Sequence, residues 1–132
     1  MIEADSIRPS GIRRKLMKSD VVAVETAGDY IIGFFPNGAV IRNIHFVTTV
    51  AIGTADCAVD IGVAVNGDTV VDGRVFAYSG NAIGTVIDVF NTKGTNGGVT
   101  EIAPGGLLWA QSDGGSTNGS GFFVIEYEDR NN

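Results

Sequence analysis

The sequence predicts an all-β protein, an antiparallel jelly-roll-like β-sandwich with an extended N-terminal arm. Nineteen of the 132 residues are glycine and good helix formers are sparse, which disfavours a helical architecture. Turn-forming dipeptides recur at short intervals, as they do between the strands of sandwiches and barrels. These dipeptides are Asn37-Gly38, Asn66-Gly67, Asp72-Gly73, Asn96-Gly97, Asp113-Gly114 and Asn118-Gly119.

A third observation is the strict alternation of residues 57–65. One face would carry Cys57, Val59, Ile61, Val63 and Val65. The opposite face carries carboxylates and small residues, which is typical of an antiparallel strand with one wet face. A jelly roll fits best because doubling the sheet protects its edges. An immunoglobulin-like sandwich is the second choice, because the Cys–Trp–Cys spacing is missing.

The chain is long enough for one β-domain, expected over residues 20–132, with a basic arm over residues 1–19. Five of the nine Lys and Arg residues lie in residues 1–18, beside two carboxylates. Residues 20–132 hold thirteen carboxylates and four basic residues. A basic segment on an acidic body predicts an arm that binds an acidic surface.

Residues 1–19 resemble neither a strand nor a good helix, because Pro9 and Gly11 interrupt them. The segment nevertheless holds large apolar side chains, so we expect it to order on contact with a partner. A frayed terminus is the alternative. Nucleic acid is a poor partner, since the arm has no aromatic residue to stack on bases. The contact residues expected are Ile7, Arg8, Ile12, Arg13, Arg14, Lys15, Leu16 and Met17.

The first strands are expected at residues 21–26 and 30–35, before the turn Pro36-Asn37-Gly38. This turn predicts a hairpin, because proline presets φ and Asn-Gly tolerates positive φ. The strands 39–50 and 57–65, joined by a bend of small residues, should then form the central hairpin. A one-residue slip would bury Asp56 and Asp60, so the register is specified.

Shorter strands are expected after the central hairpin. The first, at residues 68–73, should lie at an edge, and a long tip of small residues is expected at 113–121. We expect Phe123 and Ile125 inside the sandwich, together with the inward residues of 57–65. The remaining strands are expected at 74–79, 82–90, 99–103, 107–112 and 122–128.

The sequence offers little material for catalysis, so we expect no enzyme and no catalytic residue. His45 is the single histidine and no nucleophile motif accompanies it, which favours a locally hydrogen-bonded or half-exposed side chain. Cys57 is the single cysteine and is expected to be a small buried apolar residue. Trp109, the single tryptophan, is expected in the core or in an interface.

The carboxylates Asp56, Asp60, Asp68 and Asp72 form the densest acidic cluster in the sequence. A calcium site needs several oxygens converging from one loop. These carboxylates lie along or beside strands, so we expect solvated side chains, no metal and no other cofactor. No apolar run approaches the roughly 18 residues of a membrane span, and the first residues lack a signal-peptide core. We therefore expect a soluble protein that is made in the cytoplasm and has no membrane partner.

Several short motifs resemble small β-rich structural proteins of tailed bacteriophages. The resemblance covers about residues 34–128, and the arm lies outside it. The motifs are Phe-Phe-Pro-Asn-Gly-Ala-Val-Ile (34–41), Val-Thr-Thr-Val-Ala-Ile-Gly-Thr-Ala (47–55), Val-Asp-Ile-Gly (59–62), Asp-Thr-Val-Val-Asp-Gly (68–73), Ile-Ala-Pro-Gly-Gly-Leu-Leu (102–108) and Gly-Phe-Phe-Val-Ile-Glu-Tyr (121–127).

The resemblance implies a capsid decoration or cement protein, a jelly-roll domain bound to the exterior of an icosahedral head. Its partners would be the major capsid protein and further copies of itself, as a homotrimer at local three-fold positions. The arm residues named above would then be the capsid-binding residues. A tail, fibre or adaptor subunit is one alternative. A carbohydrate-binding module is another, and exposed, roughly coplanar aromatic side chains would favour it.

Overall fold

The computed structural model describes residues 14–79, 81–91 and 100–129. These residues form nine β-strands and no helix. The prediction of an all-β sandwich is therefore confirmed. The strands are β1 (Arg14–Lys18), β2 (Gly28–Phe35), β3 (Ala39–Gly53), β4 (Cys57–Gly62), β5 (Val71–Phe76), β6 (Val86–Asp88), β7 (Glu101–Ile102), β8 (Gly106–Ser112) and β9 (Asn118–Asp129).

The strands form two antiparallel sheets. In the described residues, the five-stranded sheet has the order β1-β9-β3-β6, with β7 also paired to β3. The four-stranded sheet has the order β2-β8-β4-β5. The chain therefore changes sheet after β1, β2, β3, β5, β7 and β8, and only β4 and β5 are sequential neighbours that pair.

The longest pairing joins β3 to β9, which are 15 and 12 residues long. It runs from Ala39 opposite Asp129 to Gly53 opposite Asn118, with three register shifts along the way. Both strands alternate between core and outer face, and Ile44, Phe46, Phe123 and Ile125 are fully buried. The predicted inward positions of Phe123 and Ile125 are confirmed.

The two hairpins predicted around residues 34–65 are wrong. β2, β3 and β4 follow one another in sequence, yet β3 belongs to a different sheet from β2 and β4. The predicted turn at Gly38 does form, with φ at 76° and a hydrogen bond from its N–H to the carbonyl oxygen of Phe35. A turn signal specifies a chain reversal and does not specify which strands pair. Here the two flanking strands belong to opposite sheets, so their apolar faces meet across the core and the strands do not pair edge to edge.

The alternation of residues 57–65 is only partly confirmed. Cys57, Val59 and Ile61 are buried, whereas Val63 and Val65 are 42% and 51% exposed. β4 ends at Gly62, where a Cβ would lie 2.5 Å from the carbonyl carbon of Gly67. This close approach turns the chain out of the sheet, so the two last valines of the pattern leave the core.

Other strands differ in extent from the predictions. Residues 21–26 form no strand, although Val22 and Val24 are buried and Val22 makes an isolated bridge to Gly121. The strands predicted at 68–73 and 74–79 are a single strand, β5, and the one predicted at 82–90 shortens to β6. The tip predicted at 113–121 is shorter, because β9 begins at Asn118.

Residues 14–18 correct the prediction that no strand precedes residue 20. They form β1, which pairs antiparallel with β9 from Arg14 opposite Glu128 to Lys18 opposite Val124. Basic side chains and a short length disfavour a strand by local propensity. The partner strand supplies the backbone hydrogen bonds and carboxylates that local sequence does not reveal.

Aromatic rings connect the sheets in the core. The ring centroid of Phe46 lies 5.0 Å from that of Phe123 in the same sheet and 4.7 Å from that of Phe76 in the other. A second contact joins Phe35 and Tyr127 across the sheets, with centroids 5.0 Å apart. The pairs Phe35–Tyr127 and Phe46–Phe123 have the edge-to-face geometry that adds to the free energy of burial.

We expect Gly121→Ala to destabilise the protein by at least about 2 kcal/mol, as overpacking does in a filled core. A Cβ on Gly121 would overlap the carbonyl oxygen of Val47 and the ring of Phe46. Chemical denaturation measures the free energy of unfolding. The control is Thr49→Ala, a change at an exposed site on β3. Equal stability of the two variants would contradict the close approach.

Candidate interaction surfaces

The structure describes four of the eight residues that are predicted to bind a partner. Ile7, Arg8, Ile12 and Arg13 lie outside the described residues. The other four, Arg14 to Met17, lie on β1 at the edge of the five-stranded sheet. Only these four can be compared with the prediction of a partner-binding arm.

Arg14 and Lys15 form ion pairs within the chain. Arg14 lies 3.3 Å from a carboxylate oxygen of Glu126 and 3.7 Å from one of Glu128. Lys15 Nζ lies 3.0 Å from a carboxylate oxygen of Asp129. Exposed pairs of this kind contribute little to stability individually. They do, however, give both basic side chains acidic partners on this protein itself.

Glu128 is the centre of this charged network. A guanidinium nitrogen of Arg42 donates to its carboxylate at 2.8 Å. This hydrogen bond lowers the pKa of Glu128 from its ordinary value and raises that of Arg42. The network ties β1, β9 and β3 together on the outer face of the five-stranded sheet.

The remaining side chains of β1 differ in environment. Leu16 is 72% exposed, whereas Met17 packs against the core. Lys18 Nζ lies 4.4 Å from the ring centroid of Phe122, a cation–π contact. An edge strand with basic residues on either side of its exposed leucine resists pairing with another copy, because like charges would be brought together.

Two of the four acidic residues singled out by the sequence accept hydrogen bonds from backbone N–H groups. Asp56 accepts from the N–H of Tyr78 at 3.0 Å, and Asp60 accepts from that of Gly73 at 2.6 Å. The pKa of Asp60 is raised, mainly by burial and further by Asp72, Asp68 and Asp113. In the described part of the chain, no group of three or more His, Cys, Asp or Glu residues could hold a metal ion.

The single histidine and cysteine agree with their sequence-based interpretation. His45 is half-buried on β3, with a ring nitrogen 3.4 Å from the side-chain nitrogen of Asn43. Cys57 is 1% exposed, and burial raises the pKa of its thiol to about 11. A thiol that is both buried and neutral at physiological pH is a poor nucleophile.

The outer face of the four-stranded sheet carries an apolar cluster that sequence reasoning missed. Ile31 pairs with Trp109, and Phe34 pairs with Leu107. Ile31 and Phe34 are 53% and 51% exposed, while Leu107 and Trp109 are half-buried. We call these four residues the apolar cluster. The register shift between Ile31 and Gly33 puts residues three apart on one face, which a search for period two does not find.

An acidic row lies next to the apolar cluster on the same face. Asp29 is opposite Gln111, and Gln111 is opposite Asp60. The four strands of this sheet contain one basic residue, Arg74. Its guanidinium donates to the backbone carbonyl of Asp88, which lies in the other sheet. The face therefore combines exposed apolar area with the carboxylates of Asp29 and Asp60.

Two further features lie at opposite ends of the sandwich. A shallow hollow of about 420 Å³ is lined by Asn37 and residues 101–104. At the other end, Ser116 Oγ donates to the carbonyl oxygen of Gly53 and accepts from its N–H. The glycine-rich tip is thereby tied to the end of β3.

Comparison of the chain with protein-family models, with curated proteins and with solved structures found no match. Among the described residues, none belongs to a helix of the length and hydropathy needed to cross a bilayer.

We expect Glu128→Gln to lower the melting temperature near neutral pH and to lose this effect in acid. The folded-state pKa of Glu128 is depressed. Its contribution is therefore present above the unfolded-state pKa, about 4.3, and disappears as pH falls through the folded-state value. Melting curves between about pH 7 and pH 3 measure the difference from the unmutated protein.

Glu25→Gln is the control for this experiment, because it removes a carboxylate away from the network. Its difference from the unmutated protein should not follow the same pH course. A difference for Glu128→Gln that persists unchanged in acid would show that the network does not act through ionisation.

We also expect Cys57 to react with a thiol reagent only after unfolding. Its raised pKa and its burial keep the folded thiol protonated and covered at about pH 8, whereas the unfolded thiol, with a pKa of about 8.5, is partly ionised. Titration with a chromogenic disulfide, with and without guanidinium chloride, measures this. Rapid reaction of the folded protein would contradict the buried position.

Proposed function

We propose that the protein is a jelly-roll decoration or cement protein on the exterior of an icosahedral phage head, where it stabilises the capsid by bridging its subunits. The fold part of the proposal is supported by the strand orders β1-β9-β3-β6 and β2-β8-β4-β5. In a jelly roll, eight strands in two Greek keys alternate between two sheets, an architecture of viral capsid and lectin domains. β7 is an addition at the edge of this pattern.

The observation that carries the functional part is the nature of the exposed surface. The exposed large apolar side chains of the described residues include Leu16 on the edge strand and, in the apolar cluster of the four-stranded sheet, Ile31 and Phe34. Contiguous exposed apolar area of this kind marks binding surfaces in soluble proteins. Together with the resemblance in residues 34–128, this favours a protein that acts through its contacts.

The proposed mechanism is mechanical. A protein that binds several capsid subunits at once adds binding free energy to the assembled state alone, and therefore stabilises that state. Ile7, Arg8, Ile12, Arg13 and Leu16 are the proposed capsid contacts. Arg14 and Lys15 already have carboxylate partners within the chain, and Met17 packs against the core. We propose a homotrimer, as the resemblance implies, and closed symmetry would also cover exposed apolar area.

Carbohydrate binding is the second candidate function. Phe34 and Trp109 are on neighbouring strands of one outer face and both are accessible. Aromatic rings offer large apolar faces on which another apolar surface can pack. Titration with soluble glycans, followed by the emission of Trp109, would detect such binding. A saturable glycan-dependent change would favour this candidate over the decoration protein.

We expect the purified protein to cosediment with heads of the phage that encodes it, when those heads have been prepared without it. Charge reversal at Arg8 and Arg13 should weaken this binding by at least about tenfold, or ~1.4 kcal/mol, since these bases would face an acidic shell. The matched control reverses Lys93 and Arg130, which changes the net charge equally. Failure of the unmutated protein to sediment with the heads would overturn the proposed function.

A further inference from the structure

The outer face of the four-stranded sheet places the apolar cluster directly beside carboxylates. Ile31 and Phe34 are 53% and 51% exposed, and Ile31 is paired with Trp109 of β8. Asp29 precedes Ile31 by two residues on β2, so the two side chains share a face and start roughly 7 Å apart along the strand. Apolar and ionic contacts are therefore available to one short segment of a partner.

The loop that follows β4 extends this face. Asn66, whose φ is 61°, donates its backbone N–H to a carboxylate oxygen of Asp29 at 3.0 Å. Its side-chain oxygen accepts a hydrogen bond from Gln111 at 2.7 Å. These contacts attach the loop to β2 and β8, so its exposed residue Val65 is held beside the acidic row.

The charge of this sheet is predominantly negative. Its four strands contain one basic residue, Arg74, whose guanidinium donates to the backbone carbonyl oxygens of Asp88 and Val75. The same strands contain three carboxylates, those of Asp29, Asp60 and Asp72.

The environment of Asp60 reports the same negative potential. Burial raises the pKa of Asp60, and the charges of Asp72, Asp68 and Asp113 raise it further. Neighbouring carboxylates have this effect because like charges disfavour ionisation. A cation bound at this face would relieve the repulsion.

We propose that this face binds a segment of a partner protein that carries arginine between apolar side chains. The apolar side chains of the segment pack on Ile31, Phe34 and Trp109, and its guanidinium groups pair with Asp29 and Asp60. Arginine suits the face better than lysine, because its planar guanidinium stacks on aromatic rings and forms two hydrogen bonds to one carboxylate. This contact goes beyond the proposed attachment to a phage head and does not depend on it.

The charges disfavour two other occupants. A second copy that presented the same face would bring its own Asp29 and Asp60 against these carboxylates, and like charges at an interface cost free energy. A neutral apolar segment would cover the carboxylates without pairing them, which leaves their desolvation uncompensated. A cationic segment both covers the apolar area and compensates the charge.

The test uses Trp109, the single tryptophan, as a reporter. Three synthetic peptides of equal length alternate valine with arginine, with glutamine or with glutamate. We expect a saturable change in emission with the arginine peptide, weaker binding of the glutamine peptide and none of the glutamate peptide. Equal affinity for the arginine and glutamine peptides would overturn the proposal. This comparison uses the unmutated protein and no phage heads, so it is independent of the proposed function.

Two isosteric substitutions test the carboxylates. Asp29→Asn and Asp60→Asn each keep an oxygen that can accept the existing backbone hydrogen bond. Together they should weaken binding of the arginine peptide by at least about fivefold, as expected for two partly screened ion pairs. The matched control combines Asp88→Asn and Glu126→Gln, which remove the same charge from the other sheet. Equal loss of affinity in the two double variants would overturn the proposal.

Two further measurements identify a different occupant or a different site. If the protein forms an oligomer that Phe34→Ser dissociates in sedimentation experiments, the face belongs to a second copy and the proposal is overturned. An oligomeric state that Phe34→Ser leaves unchanged supports it. Calorimetric binding of the arginine peptide without any change in Trp109 emission would place the peptide elsewhere and would also overturn the proposal.

Discussion

The structure depends on the close antiparallel pairing of β3 with β9. Near the start of β9, Gly121 lies opposite Thr48 and lets the two strands and the ring of Phe46 approach to a distance that any side chain would prevent. Phe46 and Phe123 then meet Phe76 from the opposite sheet. The paired residues are far apart in sequence, so the core forms only when the last strand docks against the third. This dependence on distant contacts is typical of β-sandwiches, whose folding must close long loops.

The two outer faces of the sandwich have different chemistry. The five-stranded sheet is crossed by ion pairs that join β1, β9 and β3 through Glu128. Such pairs are individually weak, but they satisfy their charges within the molecule. The four-stranded sheet instead presents the apolar cluster beside the acidic row. The charged side chains of the first face are paired within the molecule, whereas the second face has contiguous exposed apolar area, which is typical of a binding surface.

The prediction of the N-terminal arm was limited by what a linear sequence can reveal. The basic and apolar residues of 1–19 predict a segment that binds a partner, and this stays a prediction. The sequence could not show that Arg14 and Lys15 would find carboxylates more than a hundred positions away. The apolar cluster was missed for a similar reason, since a bulge in β2 changes which residues share a face and the neighbour strand β8 is distant in sequence.

The sequence by itself determined the all-β class, some of the core residues and the chain reversal at Gly38, because alternation and turn residues act over a few neighbouring positions. Burial of Cys57, Val59, Ile61, Phe123 and Ile125 followed from that local pattern. Only the tertiary structure decided which strands pair, that Val63 leaves the core and that residues 14–18 join a sheet. Which strands pair depends on how the apolar faces of two sheets pack together in one core. The backbone groups and charges that determine the pairing belong to strands far apart in the chain.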